Sequence, residues 1–241
     1  MTKTILRLAA VLYWLFSYFV FLLTFAYLIG FIGNRYTPNS VDSGVQIPTR
    51  EAALRNLLLL PLFALQHSGM ARDGFKRWIP RAFERSTYLL ATCLVLIVIF
   101  IKWEPMPDFV WRVDNPAGWW GLQALFLTGW TLVIVASFSM YHFEKFGGWR
   151  VWAYWTGKPE PVARFRTAGP YRWIRHPMMS GLLLGFWATP EMSQGHLLFS
   201  AVMTLYILLG IRLEERALVR AFGEAYRHYQ RHVAMLIPHI L

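Results

Sequence analysis

The sequence has few charged residues, and that shortage excludes an ordinary soluble protein. Only 15% of its 241 residues are Asp, Glu, Lys or Arg, whereas 56% are hydrophobic. In soluble domains about a quarter of the residues are charged, so much of this surface must face something other than water. Acidic residues are the scarcest: 13 stand against 24 Lys and Arg, and the net charge is +11. Because the cations lie between apolar runs, they suit anionic lipid headgroups, and no nucleic acid partner is expected.

The sequence also lacks the residues of several familiar sites. Its one cysteine, Cys93, lies in an apolar run, so no intrachain disulfide can form. No Cys-x-x-Cys or Cys/His finger spacing occurs, and no metal site is predicted. No GxGxG loop of a Rossmann nucleotide site occurs either. The first apolar run, residues 8–33, is too long for a signal peptide and is expected to stay in the protein.

Long apolar runs dominate what is present. A helix crosses a bilayer core with about 20 residues, so four runs predict transmembrane helices: residues 8–33, 54–71, 86–102 and 115–143. Residues 177–211 hold two further apolar stretches separated by Pro190, and they predict a helical hairpin. Residues 212–232 follow as an amphipathic helix on the cytoplasmic side. The predicted fold is therefore an all-α integral membrane protein.

The loop charges predict its orientation. Residues 72–85 and 144–175 are basic, whereas the loop after residue 101 carries Glu104, Asp108 and Asp114. Basic loops stay in the cytoplasm, so the N-terminus and the C-terminus are both predicted there. His67, His142, His176, Glu214 and Glu215 then lie at one cytoplasmic level. Polar groups at membrane depth are costly, and we interpret these as functional residues.

The C-terminal amphipathic helix has two distinct sectors. At 100° per residue, one inward sector is led by a carboxylate and is otherwise apolar and aromatic: Glu215, Leu218, Phe222, Tyr226 and Tyr229. The adjoining sector carries arginines that face lipid phosphates: Arg212, Arg216, Arg220, Arg227 and Arg231.

Three motifs near the C-terminus resemble those of the isoprenylcysteine carboxyl methyltransferase superfamily. They are Gly-Pro-Tyr-Arg-Trp-Ile-Arg-His-Pro from residue 169, Arg-Leu-Glu-Glu-Arg from residue 212, and Phe-Gly-Glu-Ala-Tyr-Arg-His-Tyr from residue 222. In that family this half binds S-adenosylmethionine in a helical fold unrelated to Rossmann methyltransferases. The resemblance divides the chain into a transmembrane bundle, residues 1–143, and a cofactor-binding module, residues 144–241. It departs at Met179, where the family commonly has tyrosine.

The resemblance implies these cofactor-binding residues: Tyr171, Arg172, Arg175, His176, Pro177, Glu214, Glu215, Tyr226 and Tyr229. Arg172 or Arg175 would pair with the cofactor carboxylate. Glu214 or Glu215 would accept hydrogen bonds from its amine or its ribose diol. The tyrosines would offer aromatic faces to the sulfonium or the purine.

The N-terminal two thirds resembles one branch, the bacterial methanethiol S-methyltransferases. The matching segments are residues 65–72, 75–78, 84–88, 115–118 and 186–190. The resemblance implies a small volatile thiol as substrate, dimethyl sulfide as product, and a bacterial inner membrane as location. A thiol reacts as its thiolate, so a nearby base would help, and His67 is the first candidate and His142 the second. The alternative acceptor is a prenylcysteine or another lipophilic thiol or carboxylate, and the oligomeric state stays open.

Two other classes compete with a methyltransferase. In a membrane haem protein His67 and His142 would be axial ligands, but the Arg-His-Pro and Glu-Glu motifs would have no role. In a transporter charged residues would be expected at mid-membrane, together with half-repeats of the sequence, and neither is apparent. The methyltransferase hypothesis accounts for more of the polar residues than either alternative.

Overall fold

The computed structural model describes residues 2–139, 142, 146–160, 165 and 167–238. The described chain is predominantly helical, as the sequence predicts. Its helices are α1 Thr2–Ile32, α2 Thr49–Met70, α3 Asp73–Lys76, α4 Arg81–Lys102, α5 Pro116–Ser139, α6 Gly148–Thr156, α7 Pro177–Trp187, α8 Gln194–Phe222 and α9 Glu224–His232, with a 3₁₀ turn at Gly169–Arg172. Two short strands, β1 Phe109–Arg112 and β2 Glu191–Ser193, complete the described elements.

Four of the described helices are long and apolar enough to cross a membrane: α1, α4, α5 and α8. Large hydrophobic side chains are exposed along them, as Leu12, Phe16 and Phe19 are on α1. Such exposure is unfavourable in water and ordinary against lipid. The protein is therefore an α-helical integral membrane protein, which confirms the predicted fold class.

The set of four differs from the predicted set in one helix. The predicted span at residues 54–71 forms α2, a helix of 22 residues, but α2 is not among the four. Its first turns carry Arg50, Glu51 and Arg55, and Pro61 lies in its interior. Helix α8 takes the fourth place, because the second arm of the predicted hairpin is itself long and apolar enough to cross a membrane.

The prediction of a single helix over residues 212–232 is also wrong, because two helices share these residues. Residues 212–222 continue α8, and α9 begins only at Glu224. Gly223 separates the two helices with φ +57° and ψ −130°. An L-residue with a side chain rarely adopts this conformation, so glycine permits the turn. The predicted span at residues 115–143 is helical over Pro116–Ser139, and residues 140, 141 and 143 lie outside the described part.

The chain divides into two compact units. The first consists of Met1–Pro105 and Tyr141–Val162, and the second of Met106–Met140 and Ala163–Leu241. This division does not follow the predicted one at residue 143, because α5 packs on α7 and so belongs to the second unit. The predicted separation of a membrane bundle from a cofactor module is a separation by function, and it stays a proposal.

In the first unit α4 packs between α1 and α2. The side chain of Asn56 on α2 is fully buried, and it forms two hydrogen bonds to the backbone of Glu104, at 2.7 and 3.0 Å. The indole of Trp103 donates to the carbonyl of Val41 at 2.9 Å. These bonds fix the end of α4, because a buried amide or indole that lost its partner would be costly.

In the second unit α5 and α7 approach closely. A Cβ placed on Gly129 would lie 2.7 Å from the carbonyl oxygen of Gly181, so only glycine permits this contact. Small residues at helix contacts are the usual means of close packing in membranes. The strands β1 and β2 pair antiparallel next to the start of α8. The all-α prediction did not include this pair, because each strand is only three or four residues long.

Candidate active site

The Arg-His-Pro motif lies between the 3₁₀ turn and α7, and the C-terminal tail fixes its backbone. The amide of Arg175 donates to the carbonyl of Ala234 at 2.7 Å, and the amide of His176 donates to that of Met235 at 3.1 Å. Pro177 opens α7, where its missing amide hydrogen costs nothing. The C-terminal tail and the start of α7 therefore fix the backbone of Arg175 and His176 without help from their side chains.

Arg175 forms the central ion pair of the cluster. Its Nε donates to Oε1 of Glu215 at 2.7 Å, and the two side chains are only 10% and 15% exposed. Its Nη1 donates to the carbonyl of Gln230 at 3.0 Å and to that of Val233. These charge-assisted bonds join the start of α7 to α8, to α9 and to the tail.

The carboxylate of Glu215 has four partners. Besides Arg175, Gln230 donates from Nε2 to Oε2 at 3.0 Å, and Nε2 of His176 lies 3.2 Å from Oε1. The hydroxyl of Tyr226 donates to Oε1 at 3.4 Å. A buried carboxylate with this many donors is firmly oriented, so Glu215 organises the cluster.

His176 lies between two carboxylates. Its Nε2 contacts Glu215, and its Nδ1 is 3.7 Å from Oε2 of Glu214. The histidine is buried, whereas the side chain of Glu214 is 52% exposed. Glu214 is thus the more exposed acidic residue of the pair, while the side chain of Glu215 is only 15% exposed.

Aromatic rings close the other side of the cluster. Tyr226 and Tyr229 are buried, and the ring of Phe165 lies 5.7 and 5.3 Å from theirs, measured between centroids. Tyr229 donates its hydroxyl hydrogen to the carbonyl of Tyr171. Burial raises the pKa of Tyr171 and Tyr226, and raises the pKa of Tyr229 to about 12. All three therefore stay neutral and able to donate near neutral pH.

Arg172 differs from Arg175 in its surroundings. Its side chain is exposed, and no hydrogen bond or ion pair joins it to another described residue. The sequence could not say which arginine is available to a ligand. In the structure Arg175 pairs with Glu215, whereas the side chain of Arg172 is exposed to solvent.

His67 lies in the first unit, on α2. Its ring stacks on Phe63, with centroids 5.0 Å apart and planes 18° apart, and contacts the ring of Tyr88 at 5.0 Å. Its Nδ1 is 3.5 Å from Oγ1 of Thr92, which itself donates to the carbonyl of Tyr88 at 2.9 Å. Since the threonine hydrogen is used on that carbonyl, Oγ1 of Thr92 can accept a hydrogen bond from Nδ1 of His67 in the tautomer that carries its proton there.

His142 also lies in the first unit and has different neighbours. Its Nε2 is 2.7 Å from the hydroxyl of Tyr18, and its ring contacts that of Phe146 at 4.6 Å. The side chain is 7% exposed. Both candidate bases are thus held by aromatic residues, His67 by α2 and α4, and His142 by α1.

The structure assembles most of the predicted cofactor residues in the second unit, where Arg175, His176, Glu214, Glu215 and Tyr226 are linked by direct contacts. Tyr171 joins through Tyr229, Pro177 starts the next helix, and Arg172 lies exposed at the end of the 3₁₀ turn. That these residues contact a cofactor, and that His67 or His142 is a base, stays a prediction.

Sequence reasoning missed two members of the cluster. Gln230 contributes an amide to Glu215 and a carbonyl to Arg175, and Phe165 covers both buried tyrosines. The position of Gln230, four residues after Tyr226 on the same helix, was the available signal. No signal of comparable strength marked Phe165, which is not part of any described helix or strand.

Several known proteins are similar to this chain. Residues 120–225 match the phospholipid methyltransferase family, PEMT. A methanethiol S-methyltransferase of Mycobacterium tuberculosis is 45% identical over 236 residues, which cover 96% of this chain and 97% of the relative. One of Pseudomonas deceptionensis is 47% identical over 237 residues, covering 96% and 90%. Nurim of Bos taurus is 32% identical over 174 residues, covering 68% and 66%. No solved structure matches.

The membrane-spanning helices, the family match and the relatives define a membrane methyltransferase. Identity of this extent over nearly the whole of both chains is specific to one branch. The chain belongs to the family of the methanethiol S-methyltransferases. This confirms the resemblance found in the sequence motifs.

Proposed function

We propose that the protein transfers a methyl group from S-adenosylmethionine to methanethiol and releases dimethyl sulfide and S-adenosylhomocysteine. The observation that supports this most is the cluster of Arg175, His176, Glu214 and Glu215, which presents one exposed carboxylate on a rigid buried ion pair. The names of the relatives support the choice of thiol.

The residues of the second unit fit this cofactor. S-adenosylmethionine carries a carboxylate, an amine, a ribose diol, a purine and a methyl-bearing sulfonium, which supplies an activated methyl group. We assign Arg172 to the carboxylate, since Arg175 already pairs with Glu215 at 2.7 Å. We assign Glu214 to the amine or the diol, because its side chain is half exposed. Tyr171 offers an aromatic face beside Glu214, whose charge contributes to the raised pKa of the phenol.

The enclosed residues have a supporting role in this proposal. Arg175, Glu215, Tyr226 and Tyr229 hold the first turn of α7 and the Glu-Glu pair of α8 in fixed positions. Groups that are already oriented before binding spend no free energy on ordering when the ligand arrives. An arginine and a half-exposed carboxylate, Arg172 and Glu214, are then available to the cofactor on rigid elements.

For the thiol we propose His67 as the base. A thiol near neutral pH is mostly protonated, and the thiolate is the nucleophile. The contact of Nδ1 with Thr92 orients the imidazole so that Nε2 is the nitrogen able to accept the thiol proton. The thiolate sulfur would then attack the methyl carbon with the freed electron pair while the bond from that carbon to the sulfonium breaks. S-adenosylhomocysteine would leave, and no covalent bond to the enzyme would form. His142 remains the second candidate, with Nε2 engaged by Tyr18.

The proposed orientation places both termini and the Arg-His-Pro motif at the cytoplasmic side of a bacterial inner membrane, and it counts α2 and the shorter α7 as crossings besides α1, α4, α5 and α8. Basic residues flank the motif, as the positive-inside rule requires. The pairing of β1 with β2 supports it as well, because the acidic loop after α4 meets the connection between α7 and α8. Within the second unit that connection is the end of the hairpin opposite to Arg175. Cofactor from the cytosol would reach the motif directly.

The test is turnover by purified protein in detergent. S-adenosylmethionine and methanethiol are added, headspace dimethyl sulfide is followed by gas chromatography, and S-adenosylhomocysteine is measured in the same samples. We expect the two products to rise together in equal amounts. Binding of S-adenosylhomocysteine without dimethyl sulfide would reject methanethiol and direct the assay to prenylated or other lipophilic acceptors. Neither binding nor product with folded protein would refute the proposal.

Two variants separate the roles. His67→Ala is expected to slow turnover by about 10²-fold or more, the usual contribution of a general base, with cofactor affinity nearly unchanged. Glu214→Gln is expected to weaken cofactor affinity, since the amide offers a poorer acceptor to an amine or a diol. His228→Ala is the matched control, because that histidine is exposed on α9. Turnover of His67→Ala at the rate of His228→Ala would remove His67 as the base.

A further inference from the structure

A groove of about 500 Å³ runs along the last turns of α8. It is lined by Arg212, Glu215, Arg216, Val219, Arg220 and Gln230. The three arginines are four residues apart, so they follow one face of the helix, and all three are exposed. Three guanidinium groups in one open groove form a strongly cationic surface that the proposed methyl transfer does not use.

These arginines differ from the arginines of the next helix in their pairing. On α9, Arg227 and Arg231 both form ion pairs with Glu224, at 3.8 and 2.6 Å. No ion pair joins the three arginines of the groove to any residue in the described part of the chain. Glu215 is the acidic residue of the groove, and its charge is already matched by Arg175. The groove therefore has positive charge without an internal counterion.

The same face of α8 is apolar in the turns that precede the arginines. Leu205, Leu209 and Leu213 are 60%, 50% and 59% exposed. At 100° per residue they point within about 100° of one another, in the same sector as Arg212, Arg216 and Arg220. A ligand lying along this face meets exposed leucines first and arginines next. The order matches a lipid, whose acyl chain leads to a phosphate.

We infer that this face of α8 binds an anionic phospholipid, with the phosphate in the arginine groove and an acyl chain along the three leucines. Arginine suits the phosphate because its planar fork donates two parallel hydrogen bonds to two oxygens. Helix α8 is long and apolar enough to cross the membrane, so its charged end lies where headgroups begin. A free phosphate would use the arginines alone and would leave the leucines without a partner.

The experiment measures thermal stabilisation of the purified full-length protein by lipid. Phosphatidylglycerol or phosphatidylcholine is titrated into the detergent solution, and the Tm is followed by tryptophan fluorescence. We expect phosphatidylglycerol to raise the Tm at lower concentration than phosphatidylcholine. In the double variant Arg216→Gln/Arg220→Gln the apparent affinity for phosphatidylglycerol is expected to fall by about tenfold or more, since charge-assisted bonds to phosphate are lost.

The matched control is Arg227→Gln/Arg231→Gln, which removes the same charge from the paired arginines of α9. It is expected to leave the response to phosphatidylglycerol at the wild-type level. An equal loss in both double variants would overturn the inference, because overall charge would then explain the preference. The charge-retaining variant Arg216→Lys/Arg220→Lys is expected to keep a weakened preference for phosphatidylglycerol, and a complete loss there would also contradict a phosphate site.

Two further measurements distinguish the source of the anion. Inorganic phosphate and glycerol phosphate at the lipid concentrations are expected to have no effect, and an equal stabilisation by either would replace the lipid with a soluble anion. Affinity for S-adenosylhomocysteine is expected to stay unchanged in Arg216→Gln/Arg220→Gln. A loss of that affinity with an intact lipid response would assign the groove to the cofactor instead. The inference does not depend on methanethiol as substrate, so a failed turnover assay leaves it standing.

Discussion

Neutralising Glu215 is the most direct test of the buried cluster. In Glu215→Gln the guanidinium of Arg175 keeps its position, 10% exposed, but loses the charge that lies 2.7 Å from its Nε. Removing one partner of a buried ion pair typically costs about 3–5 kcal/mol, because the other charge stays buried without compensation. The new amide can still accept one hydrogen bond, so we expect a cost near the lower limit, about 3 kcal/mol.

The measurement is thermal unfolding in detergent, followed by the fluorescence of the 12 tryptophans. For a chain of this size about 1 kcal/mol shifts the Tm by roughly 2–4 °C, so the expected decrease is roughly 6–12 °C. Glu224→Gln is the matched control. Its carboxylate also pairs with an arginine, Arg231 at 2.6 Å, but the two side chains are 66% and 58% exposed. Exposed pairs contribute little to stability, so that Tm should change by only a few degrees.

The comparison of the two variants decides the result. Equal shifts would refute the reasoning that burial makes the pair at Glu215 important. A double variant adds a second check, since removing both charges in Arg175→Met/Glu215→Met leaves no uncompensated ion. It is expected to be less destabilised than the sum of the two single variants. A cost equal to the sum would mean that the two residues act independently.

Three further predictions concern the same unit. Gly223→Ala is expected to lower the Tm, because an alanine at φ +57° and ψ −130° is strained by about 1–3 kcal/mol. Its control is Gly210→Ala, inside α8 with nothing near its Cβ position, which is expected to raise the Tm slightly. Above pH 10 the unfolded chain releases the phenol proton of Tyr229, whereas the folded chain holds it up to a pKa of about 12. The stability of the wild type is therefore expected to fall between pH 10 and 12 more steeply than that of Tyr229→Phe. Arg172→Ala is expected to reduce affinity for S-adenosylhomocysteine about tenfold, measured by calorimetry, with the Tm nearly unchanged.

Each of these has a contrary result. A Tm of Gly223→Ala at or above that of Gly210→Ala would show that the backbone at residue 223 adapts to a side chain. Parallel pH curves for the wild type and Tyr229→Phe would show that the phenol is not protected by the fold. Unchanged affinity in Arg172→Ala would remove that arginine from the cofactor site and return the assignment to Arg175.

The helical membrane fold could be predicted because its signals are local. Apolar runs without charges, such as residues 8–33, allow few alternatives in length or in location. The motifs around Arg175 and Glu215 also marked the site, since their order and spacing are read from the chain directly. The boundaries were less accurate. A change from apolar to charged residues at Arg212 resembles a helix end, but charged residues continue a helix, and α8 ends only at the glycine.

The roles within the motifs could not be read from the chain. Glu214 and Glu215 are adjacent and chemically equal, and so are the arginines at 172 and 175 in type and setting. The fold separates the two glutamates, because successive positions of α8 point about 100° apart. One glutamate is thereby enclosed by Arg175, Tyr226 and Gln230, and the other reaches the surface.

The sequence by itself determined the class of the protein: helices in a membrane, a family of methyltransferases, and a short set of polar residues from which a site could be made. Only the tertiary structure decided which of those residues bond to one another. Pairing depends on the distances across α7, α8, α9 and the tail at residues 233–236, and these are set by packing between segments far apart in the chain. Composition and periodicity describe each segment alone, so the contacts between segments had to come from the fold.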